Sequence, residues 1–258
     1  MDRHIHYFHF LLNRELRELY IHEAIRYFAL SMISVFVPLY LLDLGYTLGI
    51  VFSFFVVLYA SLVVFYYIAA HAIARLGIKH TILIGLVLSA VYYSLLATLA
   101  GSSVAYVFII AVIAGAAEGL YWLAFSTDFA LFTDRKRRAQ EISYYFATFR
   151  LASAAGPIIG AFLITRVSFV LSFVVAVALL IVSAIALFMS SDVKRRYQIT
   201  IRGISKNGSA RDNIGYLSFG ARSITDTIVW PVFIFLTLGE YLSLGFIITI
   251  GWLTMPIF

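Results

Sequence analysis

Few ionisable side chains stand inside the long apolar stretches of this chain, and membrane chemistry would be sought at those few. Glu118 and Arg150 lie on consecutive stretches joined by a turn near Asp134 and Arg135. Each is about sixteen residues from that turn, so on antiparallel helices they reach one level, about 10–15 Å inside the stretch ends. An acid and a base meeting there have two readings. They form an internal ion pair that fixes helix rotation, or they line a cavity and handle a solute or a proton. In either role, removing one partner strands the other. Trp122 follows Glu118 by four residues on the same helical face and would supply an aromatic wall.

Other charges sit nearer the stretch ends. Arg222 and Asp226 have the spacing of an intrahelical pair and share a face with Trp230. Arg222 is placed to snorkel or to brace a neighbouring linker, whereas Asp226 lies deeper and is the better proton-coupling candidate. Arg26, three residues after Glu23, is expected to anchor its helix at the interface. Asp128 and Glu141 fall level with each other at an edge, and Asp43 and Glu240 cap helix ends.

Several chemistries are excluded by what is missing. The three histidines His4, His6 and His9 match no closed ligand set, and there is no cysteine to complete one. No nucleophilic triad, Walker-type phosphate cradle or zinc-protease helix is present. The remaining histidines, His22, His71 and His80, are expected near one membrane edge. The chain is therefore not expected to be an enzyme, and no cofactor or metal is implied.

The elements that must position these residues are membrane helices. Residues 49–70, 81–117, 167–191 and 241–258 contain no Asp, Glu, Lys or Arg. A hydrocarbon core of about 30 Å takes roughly 20 helical residues to cross. In lipid each crossing segment must satisfy its own backbone hydrogen bonds, which selects helices. Hydrophobic residues make up 62% of the 258 and charged residues 12%, a balance that a soluble core of this size could not hide. An all-α, multi-pass membrane protein follows. Spans are predicted near 23–42, 48–70, 80–100, 104–127, 140–165, 168–190, 215–238 and 242–258, after an amphipathic lead-in over 1–20.

The net charge of +6 is topogenic rather than a nucleic-acid footprint, because the cations lie in the links. Arg3, Arg14, Arg17, Arg75, Lys79, Arg135, Lys136, Arg137, Arg138 and the run from Lys194 to Arg211 all fall on one side. The opposite links offer Arg166 alone. That bias predicts a cytoplasmic N-terminus. A basic linker over 191–213 separates a six-helix block, 21–190, from a segment 214–258 that partly restarts the chain. Pro38–Leu44–Gly45–Gly49 has its counterpart in Pro231–Leu238–Gly239–Gly245. A parallel repeat of this kind marks carriers built from two similar halves.

Two motifs carry a family resemblance. Ala70–His80 contains Arg75, Gly77 and Lys79 at the positions of the loop signature Gly-x-x-x-Asp-Arg-x-Gly-Arg-Arg, with Ala74 in place of the Asp. Residues 155–161 read Ala-Gly-Pro-Ile-Ile-Gly-Ala, close to the element Gly-Pro-x-x-Gly-Gly, with Gly156, Pro157 and Gly160 as its packing residues. With six spans, a basic linker and a restarting block, the chain resembles the major facilitator superfamily of secondary transporters. The resemblance implies a bundle of six N-terminal helices plus about two helices of a second, truncated block. It further implies a plasma-membrane protein, monomeric, that moves a small solute by alternating access, with protons as a possible driving ion. The loop signature implies gating, weakened here by the lost Asp. A non-transporting remnant, or a membrane-embedded enzyme or receptor, is the alternative.

Overall fold

A computed structural model describes residues 14–133, 138–188 and 210–254. The linker over 191–213, most of the lead-in, His4, His6, His9 and the cations Arg135 to Arg137 lie wholly or largely outside the described residues. Among the described residues every element is helical. Seven helical segments are long and apolar enough to cross a membrane, and a shorter apolar helix, Tyr241–Thr254, follows them.

Span one runs Arg14–Ile33, tightens into a 3-10 turn over Ser34–Phe36 and continues as Val37–Asp43. Spans two, three and four are Leu48–Leu76, Ile78–Ala97 and Val104–Phe132. Span five is broken into Arg138–Ala154 and Gly156–Arg166, and span six is Phe169–Leu187. Span seven comprises Ala210–Ile224, a π-helical turn over Thr225–Val229, and Trp230–Leu238. Tyr241–Thr254 is span eight. The first helix therefore begins well before Glu23, and the second half of the expected lead-in belongs to it. Glu18, Leu19 and Tyr20 are buried in the bundle, not laid along a surface.

The first six spans gather into one bundle. Span two packs along span four, span three fits between four and six, and span one bridges six and five. Span eight seats on the second half of span five. Small residues set these approaches, since without a hydrophobic drive between helices in lipid, backbone proximity supplies the packing. A Cβ on Gly115 would fall 2.3 Å from the Leu58 carbonyl oxygen of span two. One on Gly85 would meet Tyr121 at 2.9 Å. Gly156 faces Ser31 and Gly160 faces Met32 of span one, and Gly245 of span eight faces Pro157 and Ala161.

Each helix break has a local cause. Pro157 lacks an amide hydrogen and opens the second half of span five at its first turn. Pro38 and Pro231 likewise stand at the starts of the helices that follow the breaks in spans one and seven. At the end bearing the 44–47, 98–103 and 239–240 loops, here called the far end, a second apolar cluster joins spans one and five to spans seven and eight. It holds Val35, Phe36, Leu39, Ala161, Ile164, Val232, Ile234 and Leu244. Tyr241 donates a hydrogen bond to Asp43 across the same junction, so Asp43 does more than end its helix. The opposite, near end carries the tight joint at Gly77. There a φ of 106° lets one residue close span two and start span three.

The tightest approach to a neighbouring backbone lies at Gly160, where an added Cβ would come 1.9 Å from the Met32 carbonyl oxygen. Gly160→Leu is expected to cost about 1–3 kcal/mol or more by forcing spans one and five apart. Gly251, with nothing within 4 Å, should accept Ala without loss. Melting temperatures of the purified variants in detergent check both.

Candidate functional site

Because the first helix starts at Arg14, its polar residues rise into the bundle. His22, Glu23 and Arg26 lie about twelve to eighteen ångströms along the helix from that start, at 1.5 Å per residue. All three are buried, on the face turned toward spans four and six. Arg26 is thus no interfacial anchor. Its Nη2 donates to both carboxylate oxygens of Glu118, at 3.2 and 3.1 Å. The ion pair of Glu118 is made with Arg26, not with Arg150. Counting from the span four–span five turn fixed a shared depth for Glu118 and Arg150, but depth leaves the rotation of each helix undetermined.

The guanidinium is held by more than charge. Its Cζ lies 3.6 Å from the centroid of the Tyr121 ring, and the Trp122 and Tyr27 rings stand at 5.4 and 5.8 Å. A desolvated cation over aromatic faces gains on the order of 2 kcal/mol. Arg26 Nε and Nη1 have no hydrogen-bond partner among the described residues, nor has Glu23 Oε2. Buried donors and acceptors of this kind ask for a further partner. Glu118 is the open member of the group, 26% exposed, while the arginine is buried.

Glu23 joins a second string of contacts. Tyr121 Oη is hydrogen-bonded to Glu23 Oε1. On its other side Tyr121 Oη meets His22 Nε2 at 2.8 Å, and His22 Nδ1 meets the Ser183 carbonyl oxygen of span six at 2.9 Å. The string therefore ties spans one, four and six. His22, expected near one membrane edge, is wholly buried between these helices. Its only sequence signal was a polar face, His22–Glu23–Arg26, preceding the hydropathy maximum of span one.

Aromatic rings surround the pair. Tyr27 hydrogen-bonds Tyr145 of span five at 3.0 Å and packs on Phe149 with ring centroids 4.0 Å apart. Trp122 stands 6.2 Å from the Tyr27 ring. Phe149 in turn meets Trp252 of span eight at 5.5 Å, so the aromatic wall extends to span eight beside Arg150. Arg150 itself is half-buried in span five. In span seven Arg222 and Asp226 make the expected intrahelical ion pair, 3.4 Å and exposed, and Asp226 lies in the π-helical turn.

At the near end Lys79 is buried and pairs with Glu18 of span one at 3.5 Å. Arg75 is exposed, and Gly77 forms the joint already described. The chain thus has Ala74 where the loop signature has an acid, and Glu18 supplies a carboxylate to Lys79 from another helix. Asp128 and Glu141 are both buried nearby, and Tyr20 donates to the Glu141 carbonyl oxygen at 2.7 Å.

A family model described as the Major Facilitator Superfamily matches residues 19–258. A sequence comparison with curated proteins gives no match. Among solved structures, the fold is similar to one titled as the crystal structure of peptide transporter POT in complex with sulfate. The TM-score is 0.57 at 17% identity over 93% of this chain. The alignment covers 50% of that transporter, so the chain spans half of its length.

Stripping Arg26 of charge would leave Glu118 and Glu23 facing each other within a membrane bundle. Arg26→Met is expected to destabilise by roughly 3 kcal/mol, the lower end for a buried pair because Glu118 is partly open to solvent. Arg26→Met combined with Glu118→Leu should recover part of that loss. Equilibrium unfolding in mixed detergent gives the comparison.

Proposed function

We propose that this chain, which belongs to the Major Facilitator Superfamily, serves as a secondary transporter moving a small solute by alternating access, with protons as the driving ion. Arg26 and Glu118 would receive the solute's polar groups, and Trp122, Tyr27 and Phe149 would form its wall. The observation that carries this reading is a buried guanidinium with two donor nitrogens unpartnered among the described residues, beside a partly exposed carboxylate, inside a six-helix membrane bundle. Such a group is costly in lipid and is retained where it handles ions or polar solutes.

The junction between blocks supports alternating access. The far ends of spans one, five, seven and eight close over an apolar cluster and the Tyr241–Asp43 bond. Near-end residues of span seven such as Leu217 and Phe219 are instead exposed. A far-end seal above an open near end is one of the two states such a carrier needs. On the positive-inside bias, the near end, the N-terminus and the loop residues Arg75, Gly77 and Lys79 would face the cytoplasm, and the family likeness favours the plasma membrane as the site. Residues 21–190 are then the first block, 191–213 the linker and 214–258 the opening of the second. Arg150 and Asp226, one on each block, add charge around the near-end approach. The chain would act as a monomer in the bilayer and perform no covalent chemistry.

Reconstitution of the full chain into liposomes tests the reading. Labelled amino acids, short peptides, sugars and organic cations would be offered with and without an inward proton gradient. At least one class is expected to accumulate under the gradient, and Arg26→Gln should cut that uptake about tenfold or more, the loss of a charge-assisted contact. No movement of any offered solute under either its own gradient or the proton gradient would overturn the assignment.

A further inference from the structure

We infer that His22, Tyr121 and Glu23 form a site that binds one exchangeable proton, held on three consecutive hydrogen bonds between spans one, four and six. The argument is a count of hydrogens. The Ser183 carbonyl oxygen can only accept, so His22 Nδ1, 2.9 Å away, must carry a hydrogen. A second hydrogen lies between His22 Nε2 and Tyr121 Oη, 2.8 Å apart. A third lies between Tyr121 Oη and Glu23 Oε1. A neutral imidazole and a phenol bring two hydrogens between them, and a carboxylate brings none. The string is complete only with one proton more.

That proton has two homes joined by a short relay. With His22 as imidazolium, both ring nitrogens donate and Tyr121 donates to the Glu23 carboxylate. When Nε2 passes its proton to Tyr121 Oη, Tyr121 releases its own to Glu23 Oε1. The imidazole is then neutral with hydrogen on Nδ1, and Glu23 is the acid. Atoms and charge balance, and no bond to carbon changes.

Charge accounting leads to the same number. Arg26 and Glu118 cancel as a pair, leaving Glu23 as an unmatched anion in a bundle where an isolated charge is expensive. One proton on the string makes the whole group neutral. The neighbouring titratable groups do not alter this. Span one adds Tyr27, span three Tyr93 and span five Tyr145, all phenols, and Arg26 and Glu118 are already counted. Span six contains no ionisable side chain and contributes the Ser183 carbonyl.

The inference deepens the transport reading, since it places the coupling ion, but proton binding itself needs no solute and is measured without one. Purified full chain in weakly buffered detergent would be taken from mildly acidic to mildly alkaline pH, with released protons counted by an indicator dye. Glu23→Gln places an amide where the protonated acid would stand, preserves all three hydrogen bonds and should fold. It is expected to release one proton fewer per chain than the wild type. In its nitrogen-15 NMR spectrum His22, assigned through His22→Gln, should stay neutral with hydrogen on Nδ1 throughout. Tyr121→Phe cuts the string in the middle and leaves its proton on an isolated Glu23, so the release should move to a different pH from the wild type's. Should Glu23→Gln fail to fold, Tyr121→Phe decides. A folded Glu23→Gln that releases as many protons as the wild type, or a folded Tyr121→Phe whose release follows the wild-type pH curve, would overturn the site, whatever the transport assay shows. Loss of solute movement with the proton count intact would instead overturn the transport reading and leave the site standing.

Discussion

A guanidinium in a bilayer-spanning bundle has few tolerable surroundings, and Arg26 shows what they require. It needs an opposing carboxylate, which Glu118 supplies from span four. It also needs a polarisable surface to replace water, which the Tyr121 ring provides at 3.6 Å. Both partners come from one helix, separated by a single helical turn, so the rotation of span four against span one is tied to this residue. Gly85 of span three must then approach the backbone of Tyr121, and Gly115 and Gly119 must admit span two on the other flank. The packing of small residues and the placement of one charge are thus parts of a single arrangement. On the proposed reading, stability and function would draw on the same contacts, as ionisable groups at membrane depth commonly do.

The bundle was largely legible in the sequence because bilayer thickness is a strict ruler. Stretches such as 81–117 and 167–191, empty of charge, could be little else than helices crossing lipid. The site was legible only in part. Glu118 and Trp122 announced themselves by standing in an apolar run. Arg26 did not, because span one carries its polar residues on the face turned to its neighbours. Hydropathy averages that face with the lipid-facing one and moves the apparent start of the helix from Arg14 toward Glu23. A shift of nine residues is about 13 Å of depth, enough to turn a buried arginine into an apparent anchor. The pairing of Glu118 failed for another reason. Sequence distance from a turn gives height along two helices, whereas partner choice depends on their rotation, and that is set by close backbone approaches such as those at Gly115 and Gly119 in span four and Gly156 and Gly160 in span five.

Spans one and seven share an irregularity that the repeat only hinted at. Each departs from α-helical winding just before a proline, Pro38 in one and Pro231 in the other. One tightens to a 3-10 turn and the other loosens to a π turn, and the two irregular turns meet at the junction of the blocks. Single π turns and mid-helix 3-10 stretches recur at hinges. Their meeting places the irregular backbone of spans one and seven at one seam, in a bundle that Gly245 of span eight also joins through Pro157.

The one-residue joint at Gly77 has an evolutionary corollary. Adding or deleting a residue there would turn span three by about 100° relative to span two, since a helix winds 3.6 residues per turn. Gly85 would rotate off the backbone of Tyr121, and a bulkier neighbour would be driven into the place it vacated. Length variation among descendants of this chain is therefore barred at that corner. The loop over 98–103 is longer and can absorb an extra residue without re-phasing the helices it connects, so drift in length should collect on that side of the membrane.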